Sequence, residues 1–318
     1  MSKTELESEM NLNIEVCIPL KGSQSKTKPI YTPAKKVVRD DENDDTQIGP
    51  PPRPFVKWVG GKRQLLDVLH AAAPSDFGRY FEPFIGGGAF LFSQLPDRAN
   101  ISDANAELIN CYQVVRDDVE ALIRSLRRHK NEEVHFYAVR AKKISKMTPV
   151  QRASRFIFLN KTCFNGLYRE NKSGQFNTPF GRYEKPKIVD TENLLAISEY
   201  LQTYDVEINC SGYQTVLEKA LPGDYVYFDP PYVPMTKTAN FASYVKGGFG
   251  LKDQEELAAT FAELTKKGVL VMLSNSNTQI IHDLYKDFNI QIIHAARSIN
   301  CKGGKRGKEA NEVLITNY

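Results

Sequence analysis

A short apolar run, Tyr225-Val226-Tyr227-Phe228, is followed at once by Asp229-Pro230-Pro231-Tyr232. The run has the length and side-chain character of a buried strand. Prolines cannot continue a central strand, so the chain must leave the sheet at this point. An acid and an aromatic ring are thereby presented in a stiff turn at a strand's carboxyl end. In open α/β sheets, ligands bind at that end. Asp-Pro also opens ordinary turns, and taken alone the stretch reads equally well as a simple strand end.

A second strand end of this kind lies upstream. Arg79 to Phe92 reads as strand, glycine turn (Gly86-Gly87-Gly88) and helix. Glycines let a backbone approach a ligand closely. The dinucleotide fingerprint needs Gly or Ala at Leu91 and therefore fails. A P-loop at Gly60-Gly61-Lys62-Arg63 fails as well, because Val56 stands where its first glycine belongs and Arg63 where Ser or Thr belongs. A shorter glycine turn still suits a nucleoside cofactor without a pyrophosphate. Asn100 to Asp103 predicts a second strand ending in an acid, the usual ligand of ribose hydroxyls in doubly wound nucleotide sites. The competing reading is that Asp103 or Asn105 only caps the helix starting at Ala106.

The remaining elements agree with an α/β chain. Helices are expected over 64–73, within 106–160 and over 252–267, and strands at 206–210, 269–273, 290–293 and 312–317. Pro149 is expected at the first position of a helix. A mixed composition, 41% hydrophobic and 25% charged over 318 residues, allows one large or two medium domains. Residues 1–53 read as a flexible polar extension with an acidic run at 40–45 and Pro50-Pro51-Pro52. Residues 1–50 carry net −2, so the remainder carries +6, which is compatible with a polyanionic partner. No apolar run is long enough for a membrane span, and no secretory signal is visible. Five scattered cysteines without a Cys-x-x-Cys pair fit a reducing cytoplasm and small buried hydrophobes. No metal-ligand spacing is present, and no metal is expected.

Two segments suit nucleic acid. Around Ser173-Gly174, the arms Leu167-Tyr168-Arg169 and Gln175-Phe176-Asn177 predict a hairpin rich in Arg, Asn, Lys and aromatics. A two-stranded ribbon can enter a major groove, where such side chains read base edges. Cys301 to Lys308, with Lys302, Lys305 and Arg306, reads either as a solvated linker or as a phosphate clamp. Arg124 to Lys130 reads as a solvated basic face. The loop from Val233 to Gly250 has the length of a functional one.

Six blocks in this order resemble the Dam-like D12 class, alpha group, of DNA adenine-N6 methyltransferases, over roughly residues 54–318. They are Phe-Val-Lys-Trp-Val-Gly-Gly-Lys, Phe-Glu-Pro-Phe-Ile-Gly-Gly-Gly-Ala-Phe, Ser-Asp-Ala-Asn-Ala-Glu-Leu-Ile, Phe-Asn-Gly-Leu-Tyr-Arg with Phe-Asn-Thr-Pro-Phe-Gly, Asp-Pro-Pro-Tyr, and the basic loop. The resemblance implies a Rossmann-like methyltransferase sheet (54–128 and 204–318) with an inserted helical and β-hairpin target-recognition domain (129–203). It implies S-adenosylmethionine as methyl donor, duplex DNA as partner and a cytoplasmic, nucleoid-associated location. It leaves room for a cognate restriction endonuclease that is not a stable subunit. Trp58, Lys62, Phe84, Gly86, Gly88, Asp103, Tyr213 and Asp229 would line the cofactor site. Asp229, Pro230, Pro231 and Tyr232 would form the catalytic turn. Lys57, Tyr168, Arg169, Asn171, Lys172, Lys302, Lys305 and Arg306 would meet DNA, with GATC as the implied target. Two alternatives stay open on sequence grounds. One is transfer to a planar amine of RNA or protein, and the other is a non-catalytic DNA-binding relative.

Overall fold

The structure is a computed structural model, and it describes residues 50–171, 173–233, 249–296 and 309–318. Most of the N-terminal extension, Lys172, most of the 233–250 loop and the basic loop with Lys302, Lys305 and Arg306 lie outside the described residues.

Seven strands form one sheet in the order β3-β2-β1-β4-β5-β7-β6. They are β1 (Tyr80–Glu82), β2 (Arg98–Asp103), β3 (Asp205–Cys210), β4 (Tyr225–Phe228), β5 (Leu270–Ser276), β6 (Asn289–Ala296) and β7 (Glu309–Thr316). The first five run parallel. β7 is antiparallel to both β5 and β6. This mixed α/β arrangement is the Rossmann-like sheet expected from the sequence. The order reverses between β1 and β4, with Tyr80 beside Tyr225 and Phe81 beside Val226. That switch point is where an open parallel sheet leaves a crevice at its carboxyl edge. Glu82-Pro83 and Asp229-Pro230 both open into it.

Strand β4 shows why the apolar run is continuous. Side chains alternate between the two faces of a strand, and a parallel sheet is covered on both. Tyr225 and Tyr227 enter one core with helices α3 (Ala106–Asp117), α6 (Pro149–Thr162) and α7 (Thr191–Thr203). Val226 and Phe228 enter a second core with the helix Leu251–Lys266. The strand is buried throughout.

The helices end where local chemistry tells them to. Asn105 caps α3 by accepting from the Glu107 and Leu108 N–H groups. The helical pattern from 106 onward breaks at Asp118, so α3 is followed by a separate helix α4 (Val119–Leu126). Thr148 and Gln151 form a reciprocal capping box at α6, with Pro149 at the first helical position as expected. Helix α7 is an element the sequence reading did not single out, although Leu194, Ile197 and Leu201 follow helix spacing.

The 129–203 segment is fastened to the sheet domain through α6 and α7, which supply Ala153, Phe156, Ile157, Leu194 and Ile197 to the larger core. It also holds a small core of its own: Phe136 and Val139 from α5 (Glu133–Arg140), Phe158, Leu159 and Cys163 from the end of α6, and Phe176 from the hairpin. Of the described cysteines, Cys111 and Cys163 are buried and Cys210 is exposed. No helix among the described residues is long and apolar enough to cross a membrane.

Asn160 joins the two parts. It is fully buried. Its Oδ1 accepts from the Lys57 N–H at 2.7 Å, and its Nδ2 donates to the carbonyls of Lys57 at 2.8 Å and Gly166 at 3.1 Å. Asn160→Ala orphans those buried backbone groups. It is expected to cost about 2–4 kcal/mol in urea unfolding at neutral pH. A loss below about 0.5 kcal/mol would show that the joint is not structural.

Candidate active site

Asp229 follows Tyr227 by two residues, so its side chain leaves the strand on the same face. Ser274 at the neighbouring end of β5 meets both. Its Oγ donates to Asp229 Oδ1 at 3.1 Å and lies 2.9 Å from the Tyr227 hydroxyl. The stronger partner of Asp229 is Lys62, whose Nζ sits 2.8 Å from the same Oδ1. Lys62 is buried and also donates to the Gly60 carbonyl at 2.8 Å. Its ammonium stands 4.6 Å from the centroid of the Tyr232 ring. Burial raises the Asp229 carboxyl above its ordinary range, against the opposing pull of Lys62 and Ser274.

The turn after Asp229 owes its rigidity to more than its prolines. Gln254 donates to the Pro231 carbonyl at 2.8 Å and accepts from Asn275 at 3.0 Å. Asn275 Oδ1 accepts from the Val233 N–H at 3.3 Å, and Ser276 Oγ donates to the Val233 carbonyl at 2.7 Å. Gln254, Asn275 and Ser276 are all buried. The Tyr232 hydroxyl donates to Glu312 on β7 at 2.9 Å. The ring is thereby pinned at its tip.

The glycine turn lies at the next strand end. Gly86 and Gly88 adopt positive φ, +46° and +70°. A Cβ on Gly86 would fall 2.5 Å from Cδ1 of Trp58, and one on Gly88 would fall 2.6 Å from the Tyr112 hydroxyl. Only glycine fits either place. Asp103 closes the turn: its Oδ2 accepts from the Gly86 N–H at 3.2 Å and its Oδ1 from the Asn105 N–H at 2.9 Å. Capping of α3 therefore falls to Asn105, while Asp103 fastens the glycine turn to the end of β2. Burial also raises the Asp103 carboxyl. Beside the turn, Phe84 stacks on Tyr213 at 5.3 Å, with Phe249 edge-on at 5.7 Å.

A nucleoside bearing an aromatic base and a ribose diol fits this set. The residues offer an acid at the β2 end, aromatic faces near the β1 end and close backbone approach at the glycines. Among the described residues no group of His, Cys, Asp and Glu could hold a metal ion.

The expected DNA-side residues fall into two groups. Arg169 and Asn171 are exposed on the hairpin, whose arms pair through Asn177 N–H to the Arg169 carbonyl and Asn171 N–H to the Gln175 carbonyl. Arg169 Nε donates across the hairpin to Asn177 at 2.8 Å. Asn171 Oδ1 accepts from the Ser173 and Gln175 N–H groups, so its side chain shapes the turn itself. Tyr168 and Lys57 are drawn inward. The Tyr168 ring stacks on Phe156 at 4.8 Å and on Trp58 at 5.8 Å, and its hydroxyl bonds Glu170. Lys57 places its ammonium 4.0 Å from the Tyr183 ring centroid and donates to the Lys161 carbonyl.

Comparison with known proteins decides the family. Residues 58–299 match the D12 class N6 adenine-specific DNA methyltransferases. The chain belongs to this family. It is 46% identical over 272 residues to the type II methyltransferase M1.LlaDCHI of Lactococcus lactis subsp. cremoris, covering 84% of this chain and 95% of that protein. It is 43% identical over 288 residues to the type II methyltransferase M.MjaIII of Methanocaldococcus jannaschii, covering 84% and 99%. The DNA adenine methylase of Escherichia coli K12 is 33% identical over 266 residues, covering 82% and 94%. The protein is an adenine-specific DNA methyltransferase.

Several residues of the enzyme's crevice escaped the sequence reading. Glu82 ends β1 as Asp229 ends β4, an acid after an apolar strand and before a proline, and that parallel was a usable signal. Gln254, Ser274, Asn275 and Glu312 come from distant elements and carried no local one. Glu82 is 3% exposed and accepts from the Tyr80 hydroxyl at 2.7 Å. Burial, reinforced by Asp229, pushes its carboxyl up to about 8. Between the ordinary value of 4.5 and about 8, the folded state holds a proton that the unfolded chain has released. Stability contributed by this group is thus full at low pH and is lost as pH rises through that window. Glu82→Gln cannot ionise. Its melting temperature relative to the unaltered enzyme is expected to climb between about pH 5 and about pH 8. A difference that stays flat over that range would refute a buried neutral carboxyl.

Proposed function

We propose that the enzyme transfers a methyl group from S-adenosylmethionine to the N6 amine of an adenine turned out of duplex DNA, within GATC. The observation that carries this reading is the Asp229 carboxylate, held at the switch-point crevice by Lys62 and Ser274 and followed by the clamped Pro230-Pro231-Tyr232 turn.

The adenine amine is a poor nucleophile because its lone pair is delocalised into the ring. Two acceptors aimed at its two hydrogens pull the nitrogen towards a tetrahedral shape and free the lone pair. The second oxygen of Asp229 and the Pro230 carbonyl supply them, since Oδ1 is already engaged by Lys62 and Ser274. The pair Lys62–Asp229 favours the charged carboxylate, which is the better acceptor. This is positioning and electrostatic preorganisation in a site fixed before substrate arrives. Tyr232 stacks on the target base by the face opposite Lys62. Taking a base out of the stack costs a few kcal/mol and needs such a ring. S-adenosylmethionine, when bound, supplies an electrophilic methyl group on a sulfonium. Phe84, the Gly86–Gly88 backbone and Trp58 border it, Asp103 holds its ribose hydroxyls, and Tyr213 flanks its adenine.

The 129–203 segment serves as the recognition domain in this reading. Arg169 reads a base edge in the major groove, with Lys57 adding a contact from the cofactor side. Asn171 and Tyr168 hold the hairpin in the shape that does so. Lys172, Lys302, Lys305 and Arg306 supply phosphate contacts.

Asp229→Ala is expected to abolish transfer of labelled methyl groups to duplex DNA, while circular dichroism reports a folded protein. Turnover at the unaltered rate would refute the mechanism. Label appearing in RNA or protein and not in DNA would overturn the substrate. Arg169→Ala is expected to lose about 1–3 kcal/mol of discrimination at one base pair of the site. Sequencing of methylated adenines reads this directly, and an unchanged target sequence would remove the hairpin as reader. Methylated adenines found outside GATC in DNA exposed to the unaltered enzyme would correct the target.

A further inference from the structure

Helices α4, α5 and α6 and the 141–148 connection enclose a cleft of about 500 Å³. None of its lining residues belongs to the glycine turn, the Asp-Pro-Pro-Tyr turn or the hairpin. Five cations face it: Arg128, Lys142, Lys143, Lys146 and Arg155. No carboxylate lines it, and none of the five forms an ion pair among the described residues.

Arg155 is the unusual member. It is 6% exposed, and its guanidinium donates to the Val139 and Arg140 carbonyls at 3.2 and 2.8 Å. Those bonds complete the end of α5, where a cation suits the helix dipole. They do not neutralise the charge. Burial disfavours the charged form, Tyr168, Glu107 and Glu170 support it only from beyond ion-pair distance, and an anion in the cleft offsets the remaining cost. The cleft wall also carries two histidines. His129 lies 3.0 Å from His135 and 3.1 Å from Ser154 and stacks on Phe158. Burial first, then His135, Lys142 and Arg128, push it down to about 4. The cleft is also mechanically joined to the recognition hairpin. Arg140, at the end of α5, donates to the Thr178 carbonyl in the hairpin's return arm, and Phe136 and Phe158 share a core with Phe176.

We propose that this cleft holds a backbone phosphate of the duplex flanking the recognition sequence. The proposal rests on DNA as the substrate and on the hairpin as its reader. Each phosphate engaged by cations releases condensed counterions, so it steepens the salt dependence of binding without adding sequence preference.

The test compares two duplexes with the same central site, one barely covering it and one extended on both sides. Both are titrated with the full-length protein over a range of salt concentrations. The unaltered protein is expected to favour the long duplex. In the combined variant Arg128→Ala, Lys142→Ala, Lys143→Ala, Lys146→Ala, that preference is expected to vanish, and the slope of log K against log salt to flatten by about 1 for each phosphate lost. Replacement of the three lysines by arginine is expected to keep both. Lys143→Glu, a single exposed change, carries the same test should the combined variant misfold. An unchanged length preference and slope in the alanine and glutamate variants would overturn the proposal. So would inorganic tripolyphosphate raising the melting temperature of the unaltered protein alone while length preference persists in every variant. That result would mark a site for free polyanions. Methyl transfer to the short duplex by the unaltered protein tests the catalytic reading separately.

Discussion

The ion pair between Lys62 and Asp229 is the contact on which the crevice depends. It joins the loop ahead of the first helix to the end of β4, across the point where strand order reverses. Lys62 is almost wholly enclosed and the Asp229 side chain is 20% exposed, so the pair has given up most of its water. A buried pair seldom adds net stability, because desolvation offsets the attraction. Its presence is better explained by what it keeps in place. The ammonium holds one carboxylate oxygen, lies over the Tyr232 ring and reaches the Gly60 carbonyl, and so sets three parts of the site at fixed distances.

A second linkage is aromatic. Trp58 lies against Gly86 so closely that no side chain fits between them, and its ring also stacks on Phe156 and Tyr168. The glycine turn and the base of the hairpin are therefore joined through one stack of rings. Asn160 supports the same joint through the Lys57 backbone. Aromatic stacks are stiff and desolvated, which suits a place where two binding surfaces must hold a constant separation. Seen this way, Tyr168 belongs to the frame of the recognition element as much as to its surface.

Much of the frame was legible beforehand. The strand at 225–228 declared itself by an apolar run that ends in turn residues, and those read at 206–210 and 100–103 fall within β3 and β2. Pro149 marked a helix start, and Ser173-Gly174 marked a hairpin tip. Asp229 and Asp103 were legible as candidates because each acid directly follows a buried strand. Glu82 obeys the same rule but sits inside a block whose glycines drew attention first. Gln254, Ser274, Asn275 and Glu312 were not legible. Each is an unremarkable polar residue in its own element, and each gains its role only by facing the 229–233 turn.

Local chemistry alone thus dictated where the chain leaves the sheet, which acids stand at strand ends and where glycine is indispensable. Those are consequences of φ restriction, missing N–H donors and alternation along a strand, all of which act within a few residues. Only the folded arrangement decided that Lys62 would meet Asp229 and that a glutamine and an asparagine would lock Pro231 and Val233. It likewise decided that Trp58 would join the cofactor turn to the hairpin. Those contacts span many tens of residues. They exist because strand order reverses between β1 and β4, bringing distant segments to one crevice.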